Sequence, residues 1–395
     1  MRARHRSAVV ASAILVVSTL AITAAGVASA STGGAAPVAA GVAPGSFVDG
    51  LPPSVPIEVS ATTEAAADRG PAPVGPVLPR ALEATHLAAV ASLWDEIVDC
   101  PAPDQVGGPL ADLSISDSLA FYDGRRAFRG QPTWSGGTGA ADGRAPTPCA
   151  VCHSGPVVGG GRDVGAGPAG PNQVPPLFGI GGLDRIADKY LGPLPDPDDR
   201  NNDGIRGSVV GEVIDDDTHR IGRYGRRARI ANLREAVRGE VQRWQGIAAD
   251  RGGLGDAAVE RLTAFVAGLA PPPVLSRDSV RDGELVFHRC SCAGCHQPTL
   301  LDLTEIFSDG IRHDLGAGLT DARGDVADDA DEARWWRTTA LWGLRWRQRF
   351  LHDGRAADLV AAIDAHGGEA SQARAAWKRL DPAARASLLT FLGSL

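Results

Sequence analysis

Apolar positions recur at helical spacing in two matching places. Leu262-x2-Phe265-Val266-x2-Leu269 and Leu388-x2-Phe391-Leu392-x2-Leu395 both carry the i, i+3, i+4, i+7 stripe of an amphipathic helix. Each has a start signal, Asp256 before the first and Asp381-Pro382 before the second. An N-cap Asp accepts bonds from free backbone amides, and Pro at the first helical position loses nothing because its missing N–H had no partner. Upstream of each stripe stands a second shared frame, Asp123-Gly124-x3-Phe128 and Asp282-Gly283-x3-Phe287. The pattern predicts an opening helix and a closing helix, used twice. Ala270-Pro271-Pro272-Pro273 cannot continue a helix and divides the repeats, giving segments 81–270 and 274–395 as domains. Leu82, Ala89 and Leu93 can share one helix face, so structure should begin between Arg80 and Trp94.

What precedes has no such period. Residues 1–30 read as a secretory signal: Arg2, Arg4 and Arg6 lead an uncharged run from Ala8 to Val27, closed by Ala28-Ser29-Ala30. The alternative is an uncleaved anchor, since the run is nearly long enough to span a bilayer. Its Ala, Ser and Thr content and the cleavage motif favour removal, and hence a periplasmic or extracellular protein with no membrane span after processing. Residues 31–80 are dominated by Ala, Pro, Gly, Val and Ser, a composition that cannot offset its ordering entropy and is expected to form a disordered linker.

Composition narrows the class. Of 395 residues, 44% are apolar and 22% charged, as in globular proteins. The formal charge is −8, falling to −11 once the three signal arginines are lost. That balance argues against nucleic acid as a partner, which demands a basic stripe. Six cysteines are too few for a disulfide scaffold of this length.

Where those cysteines stand matters more. Cys149-Ala150-Val151-Cys152-His153 and Cys292-Ala293-Gly294-Cys295-His296 are two C-x-x-C-H motifs, against roughly 0.002 expected by chance in a chain of this composition. The pattern is that of covalent c-type haem attachment: two sulfurs bond the vinyl groups and the adjacent His ligates iron. A zinc site needs four closed ligands with no fixed following His. A thioredoxin-like motif needs a βαβ context that the chain lacks. Cys100 and Cys290 are left over, to stay free or to pair with each other. Met1 is the only Met and departs with the signal, so neither iron can have His/Met ligation. His86, His219, His288, His313, His352 and His366 remain as sixth ligands, or the position stays open. Asp199-x-Asn201-x-Asp203-Gly204 has the spacing of a calcium loop, but Val210 stands where a bidentate Glu would close it.

From about residue 115 to 395 the chain resembles the di-haem oxidoreductase (putative peroxidase) family, related to bacterial di-haem cytochrome c peroxidases. The resemblance rests on Pro175-Pro176-Leu177-Phe178-Gly179-Ile180-Gly181, Asp203-Gly204-Ile205-Arg206-Gly207 and Gly222-Arg223-Tyr224-Gly225. It continues in His313-Asp314-Leu315-Gly316, in the run from Arg337 to Leu344, in Leu351-His352-Asp353-Gly354-Arg355-Ala356 and in His366-Gly367-Gly368-Glu369-Ala370. It implies a mainly α fold of two cytochrome c-like haem domains in tandem with loop-rich insertions. In the peroxidase relatives the C-terminal haem takes a distal Met fourteen residues after the His matching His352; here that position is His366. The resemblance therefore implies a bis-His C-terminal haem, His296 with His366, of lowered potential. His313 and His352 are expected to hydrogen-bond near a haem edge.

The N-terminal haem, with His153 proximal, is then the reactive one. Relatives place Gln and Glu on its distal side. The corresponding stretch, Ala228 to Trp244, offers Glu240 and Gln242 by position, and Arg223 or His219 could also approach. The relatives hold calcium between their haems, partly through carbonyls near the segment matching Arg337 to Leu341. Trp335, Trp336, Trp342 and Trp346 are first of all packing residues, with electron relay as a further role. The expected function is an exported di-haem oxidoreductase that takes electrons from a small redox protein and reduces hydrogen peroxide. Oxidation of protein side chains, and plain electron transfer without catalysis, are the alternatives.

Overall fold

The computed structural model of the chain describes residues 89–90, 92–130, 147–163, 173–215, 218–245, 254–273, 277–320 and 332–395. The signal reading (1–30), the linker reading (31–80), Leu82 and His86 lie outside the described residues. Helices dominate, in chain order α1 (Trp94–Asp99), α2 (Ile115–Arg129), α3 (Cys149–Cys152), α4 (Asp188–Leu191), α5 (Leu233–Gln245), α6 (Leu254–Gly268), α7 (Arg281–Arg289), α8 (Leu359–Ala365), α9 (Ser371–Arg379) and α10 (Pro382–Leu392). The strands are short and form two-stranded antiparallel sheets: β1 (Gly211–Asp215) with β2 (Thr218–Ile221), β3 (Thr299–Leu300) with β4 (Leu303–Thr304), and β5 (Arg312–Asp314) with β6 (Trp335–Arg337). No helix among the described residues is long and apolar enough to cross a membrane.

The repeated frames become two packed helix pairs, α2 on α6 and α7 on α10. Their crossings are alike. A Cβ on Gly124 would stand 2.1 Å from the Arg261 carbonyl oxygen, and one on Gly283 would stand 2.1 Å from that of Ser387. Only glycine lets the backbones approach so closely, which is why the Asp-Gly frame recurs. The Phe of each frame meets the Phe of the closing stripe: Phe128 lies 4.8 Å from Phe265, and Phe287 lies 5.5 Å from Phe391. Burying each such ring is worth about 1.5–3 kcal/mol.

Helix starts are as expected in one repeat and not in the other. Asp381 caps α10, accepting from the Ala384 amide at 2.9 Å, with Pro382 at the first position. Asp256 is not a cap. α6 already begins at Leu254, and the Asp256 carboxylate instead accepts from Arg234 (2.5 Å) and Arg238 (2.9 Å) of α5.

Two hydrophobic cores are visible. The first joins α2, α5 and α6 to Phe178, Leu183 and Ile186, and is completed by Leu300, Leu303, Ile306, Ile311 and Trp342 from beyond the proline break. The second gathers Phe287, Phe307, Trp377, Leu388, Phe391 and Leu392. Residues 89–395 form one unit. Ser208 and Arg312 exchange backbone bonds of 2.8 and 3.1 Å, and the Gln173 amide reaches the His352 carbonyl at 2.8 Å.

Candidate functional site

The first C-x-x-C-H motif is a single helical turn. α3 brings Cys149 and Cys152 to one side, three residues apart, and His153 leaves the turn with its amide bonded to the Cys149 carbonyl at 2.9 Å. The His153 ring donates from Nδ1 to the Pro175 carbonyl at 3.0 Å, since a carbonyl can only accept. That carbonyl opens the Pro175–Gly181 string. Burial pushes the His153 imidazole down to about 4, although part of the residue stays open to solvent. Burial likewise pushes the Cys149 thiol up to about 11.

The second motif is built differently but presents the same groups. α7 ends at Arg289, Ser291 turns the chain in the left-handed region (φ 60°), and a 3-10 turn over Cys292–Gly294 follows. The His296 amide bonds the Cys292 carbonyl at 2.9 Å, and its Nδ1 donates to the Phe307 carbonyl at 2.9 Å. Phe307 is itself left-handed (φ 49°), a conformation costing about 1–2 kcal/mol for a side-chain-bearing residue, and it points that carbonyl at the imidazole. Burial pushes His296 down to about 4, and His366 lies within electrostatic range and lowers it further. His366 ends α8 and donates from Nδ1 to the Ala362 carbonyl at 2.7 Å; burial lowers it too.

His153, His296 and His366 thus share one arrangement, with Nδ1 committed to a backbone carbonyl and Nε2 left for a ligand. A neutral imidazole oriented through its second nitrogen is the form that binds a metal. The cysteines fit haem better than zinc. Burial also pushes Cys292 up to about 12 and raises Cys295. A zinc site needs thiolates, whereas a thioether carries no charge to desolvate.

His313 is a different kind of histidine. Its Nε2 meets Asp309 Oδ2 at 2.8 Å and its Nδ1 meets Glu369 Oε2 at 2.7 Å. Despite burial, those two carboxylates push it up, and with each ring nitrogen donating to one of them it has no free lone pair. Cys295, Asp309 and His313 lie within 4.8 Å of one another, but with both ring nitrogens engaged they do not form a metal centre. His352 stacks on Trp336 at 3.9 Å and 20°, with Arg227 4.4 Å from the same indole ring.

The distal candidates separate. Glu240 and Gln242 are both exposed on α5. Glu240 acts electrostatically on Cys149, which puts it beside the first motif. Gln242, two residues on, is about 200° further round the helix, so the two do not share a face. Arg223 does not serve a haem: it is fully buried and spends its guanidinium on Asp188 and on the carbonyls of Leu183, Ile186 and Ile221. The His219 side chain lies outside the described residues.

The oxygens of the 199–204 loop are turned onto its own backbone. Asp199 accepts from the Gly204 amide (3.0 Å), Asp203 from that of Ile205 (2.8 Å), and the Asn201 amide donates to Asp203 (2.8 Å). The Thr338 carbonyl, within the segment expected near calcium, accepts from Ser308 Oγ at 2.7 Å. Cys100 and Cys290 are not paired: Cys100 packs against the first core, donating weakly to the Gly107 carbonyl, and Cys290 is buried in the second. The residue that sequence reasoning passed over is Glu369, although it stands in the same string as His366.

Residues 263–395, which carry the second motif, His313, His352, His366 and Glu369, match the family described as "Di-haem oxidoreductase, putative peroxidase". That segment, about a third of the chain, is similar to the di-haem oxidoreductase family. No curated protein matches the chain. Two solved structures are similar at low scores. One is hydrazine synthase of Kuenenia stuttgartiensis under xenon, with 17% identity, a TM-score of 0.40, and coverage of 86% of this chain and 99% of that one. The other is a MauG-like protein associated with microbial copper homeostasis, with 17% identity, a TM-score of 0.39, and coverage of 75% and 94%. Likeness at that level carries no argument.

Proposed function

We propose that the protein is an exported di-haem oxidoreductase with two covalently attached c-type haems, one in each half of the chain, and that it reduces hydrogen peroxide. One observation carries the reading. Two C-x-x-C-H turns each present an imidazole anchored through Nδ1, and among the described residues a second imidazole lies within electrostatic range of one of them and not of the other. His366 acts on His296, whereas the groups acting on His153 among the described residues are backbone carbonyls at Pro175 and Gly160. A haem supplies one-electron transfer and, where a coordination position is open, a place for peroxide to bind.

The chain's residues divide the work accordingly. Cys292 and Cys295 would hold the second group, with His296 and His366 as its two imidazole ligands, an arrangement that would suit electron transfer and leave no place for peroxide. Cys149 and Cys152 would hold the first group and His153 would ligate it, its ring fixed by the Pro175 carbonyl. Glu240, beside that motif, takes a proton from the inner peroxide oxygen and returns it to the outer one, the general acid–base role that O–O cleavage needs. The balance is one peroxide, two electrons and two protons to two waters. Electrons come from a small redox protein, and the acidic chain favours a basic donor through encounter rate.

Electron paramagnetic resonance and optical spectra of the purified protein test this. A high-spin iron that reacts with peroxide, followed by oxidation of a reduced donor cytochrome, is the expected result. Two low-spin irons inert to peroxide would make the protein an electron carrier and overturn the catalytic reading.

A further inference from the structure

Three of the strings that mark the family resemblance, 203–207, 313–316 and 366–370, are far apart in sequence and meet at one carboxylate. Glu369 Oε2 accepts from the Gly207 amide (2.8 Å), the Arg206 amide (2.9 Å) and His313 Nδ1 (2.7 Å), and Oε1 accepts from the Asp314 amide at 3.3 Å. The His313 ring is held from its other side by Asp309 Oδ2 at 2.8 Å. The turn carrying Glu369 lies flat on its neighbour. A Cβ on Gly368 (φ +53°) would meet the Asp314 carbonyl oxygen at 2.1 Å, and one on Gly367 would meet that of Leu315 at 2.9 Å.

His366 stands at the other end of this turn. From the α8 side, its amide bonds the Ile363 carbonyl (3.1 Å) and its Nδ1 bonds that of Ala362 (2.7 Å). From the far side, Glu369 ties the turn to the rest of the chain, while Trp377 Nε1 and Arg374 bond Asp364 at 3.1 and 3.4 Å and tie α9 to the end of α8. We propose that Glu369 is a positioning residue for His366: it clamps the 366–370 turn to His313 and to the Arg206–Gly207 backbone, so that axial ligation of the second haem depends on a contact with the first half of the chain. The inference rests on the bis-imidazole reading of His296 and His366 given above.

The energetics favour a switch-like dependence. A buried carboxylate is tolerated only when fully bonded, and this one has four donors. Its removal leaves the Arg206, Gly207 and Asp314 amides without that acceptor, at about 1–3 kcal/mol for each amide left buried and unpaired, and strips the His313 ring of one partner. With Gly367 and Gly368 in the turn, no side chain there resists the movement that follows, and His366 is drawn away from His296.

The test uses the full haem-loaded protein. In the wild type the second haem should be low-spin with two imidazoles, and His366→Ala should convert it to high-spin. Glu369→Ala, with two haems per chain still attached, should give the same conversion, and added imidazole should restore the low-spin signal. The double variant should look like either single one. If Glu369→Ala keeps the wild-type low-spin spectrum and potential, the inference is overturned while the bis-imidazole reading stands. If His366→Ala leaves the wild-type spectrum unchanged, that reading falls and the inference with it. Should Glu369→Ala not accumulate, Glu369→Gln decides: cyanide affinity at the second haem should rise on the order of tenfold, because the competing imidazole is bound less of the time. Unchanged affinity overturns the proposal.

Discussion

One substitution should have opposite signs at two helical glycines. Gly→Ala inside a helix gains about 1 kcal/mol from backbone propensity alone. At Gly239, on the exposed face of α5, an added Cβ meets nothing within 4 Å, so the full gain of about 1 kcal/mol should be realised. At Gly283, on α7, the same Cβ would stand 2.1 Å from the Ser387 carbonyl oxygen and 2.6 Å from Phe391 Cβ. Ordinary contact begins near 3.4 Å, so α7 and α10 must part by about 1 Å or more, against the near-crystalline packing of interiors. That opens the cluster in which Phe287 and Phe307 both meet Phe391, at 5.5 and 5.6 Å. Overpacking of this kind costs about 1–3 kcal/mol. A clash with backbone at 2.1 Å belongs in the upper part of that range, so with the propensity gain of about 1 kcal/mol set against it Gly283→Ala should destabilise by about 1–2 kcal/mol. Urea unfolding of the haem-loaded protein, followed by far-ultraviolet circular dichroism, reads both. At an m-value of about 2–3 kcal/mol/M, the midpoints should move by roughly 0.5 M in opposite directions. A Gly283→Ala protein as stable as the wild type would refute the close crossing, and with it the explanation of why the Asp-Gly frame recurs.

Four further outcomes are expected. His366→Met should keep the second haem low-spin but raise its potential in a redox titration, because thioether replaces imidazole; an unchanged potential would show that residue 366 is not a ligand. Glu240→Gln should slow peroxide turnover by about 10²–10⁴-fold with haem content intact, while Gln242→Ala, on another helix face, should leave it unchanged in stopped-flow assays. Alkylation of the denatured, unreduced chain should add two groups, at Cys100 and Cys290; mass spectrometry finding none would mean that the pair is a disulfide. The Arg312 and Arg229 guanidiniums, at 2.6 and 2.8 Å, hold the Glu332 carboxyl below its usual 4.5. Its contribution to stability is therefore present above about pH 4.5 and lost as pH falls through the lowered folded value. Unfolding curves of Glu332→Gln and wild type should converge in acid, and curves that stay parallel would refute the assignment.

Features that depend on neighbours along the chain are legible in the amino-acid sequence alone. The opening and closing helices, the Asp381 cap, the proline break and the two C-x-x-C-H turns all follow from spacing within a few residues. The lack of any internal Met excludes thioether ligation from composition alone. What depends on the choice among distant partners is not legible there. Asp256 carries the same local signal as Asp381, yet two arginines of another helix claim it. Arg223 could have served a ligand, but the Leu183 and Ile186 carbonyls and Asp188 consume it. Cys100 and Cys290 could have paired, but they lie in different cores. Above all, no period or motif ties Glu369 to Gly207, 162 residues away. Local patterning determines which elements form, because their hydrogen bonds and stripes close within a few turns. Only tertiary packing decides which charges meet in the interior, since a buried carboxylate must find its donors wherever the folded chain brings them.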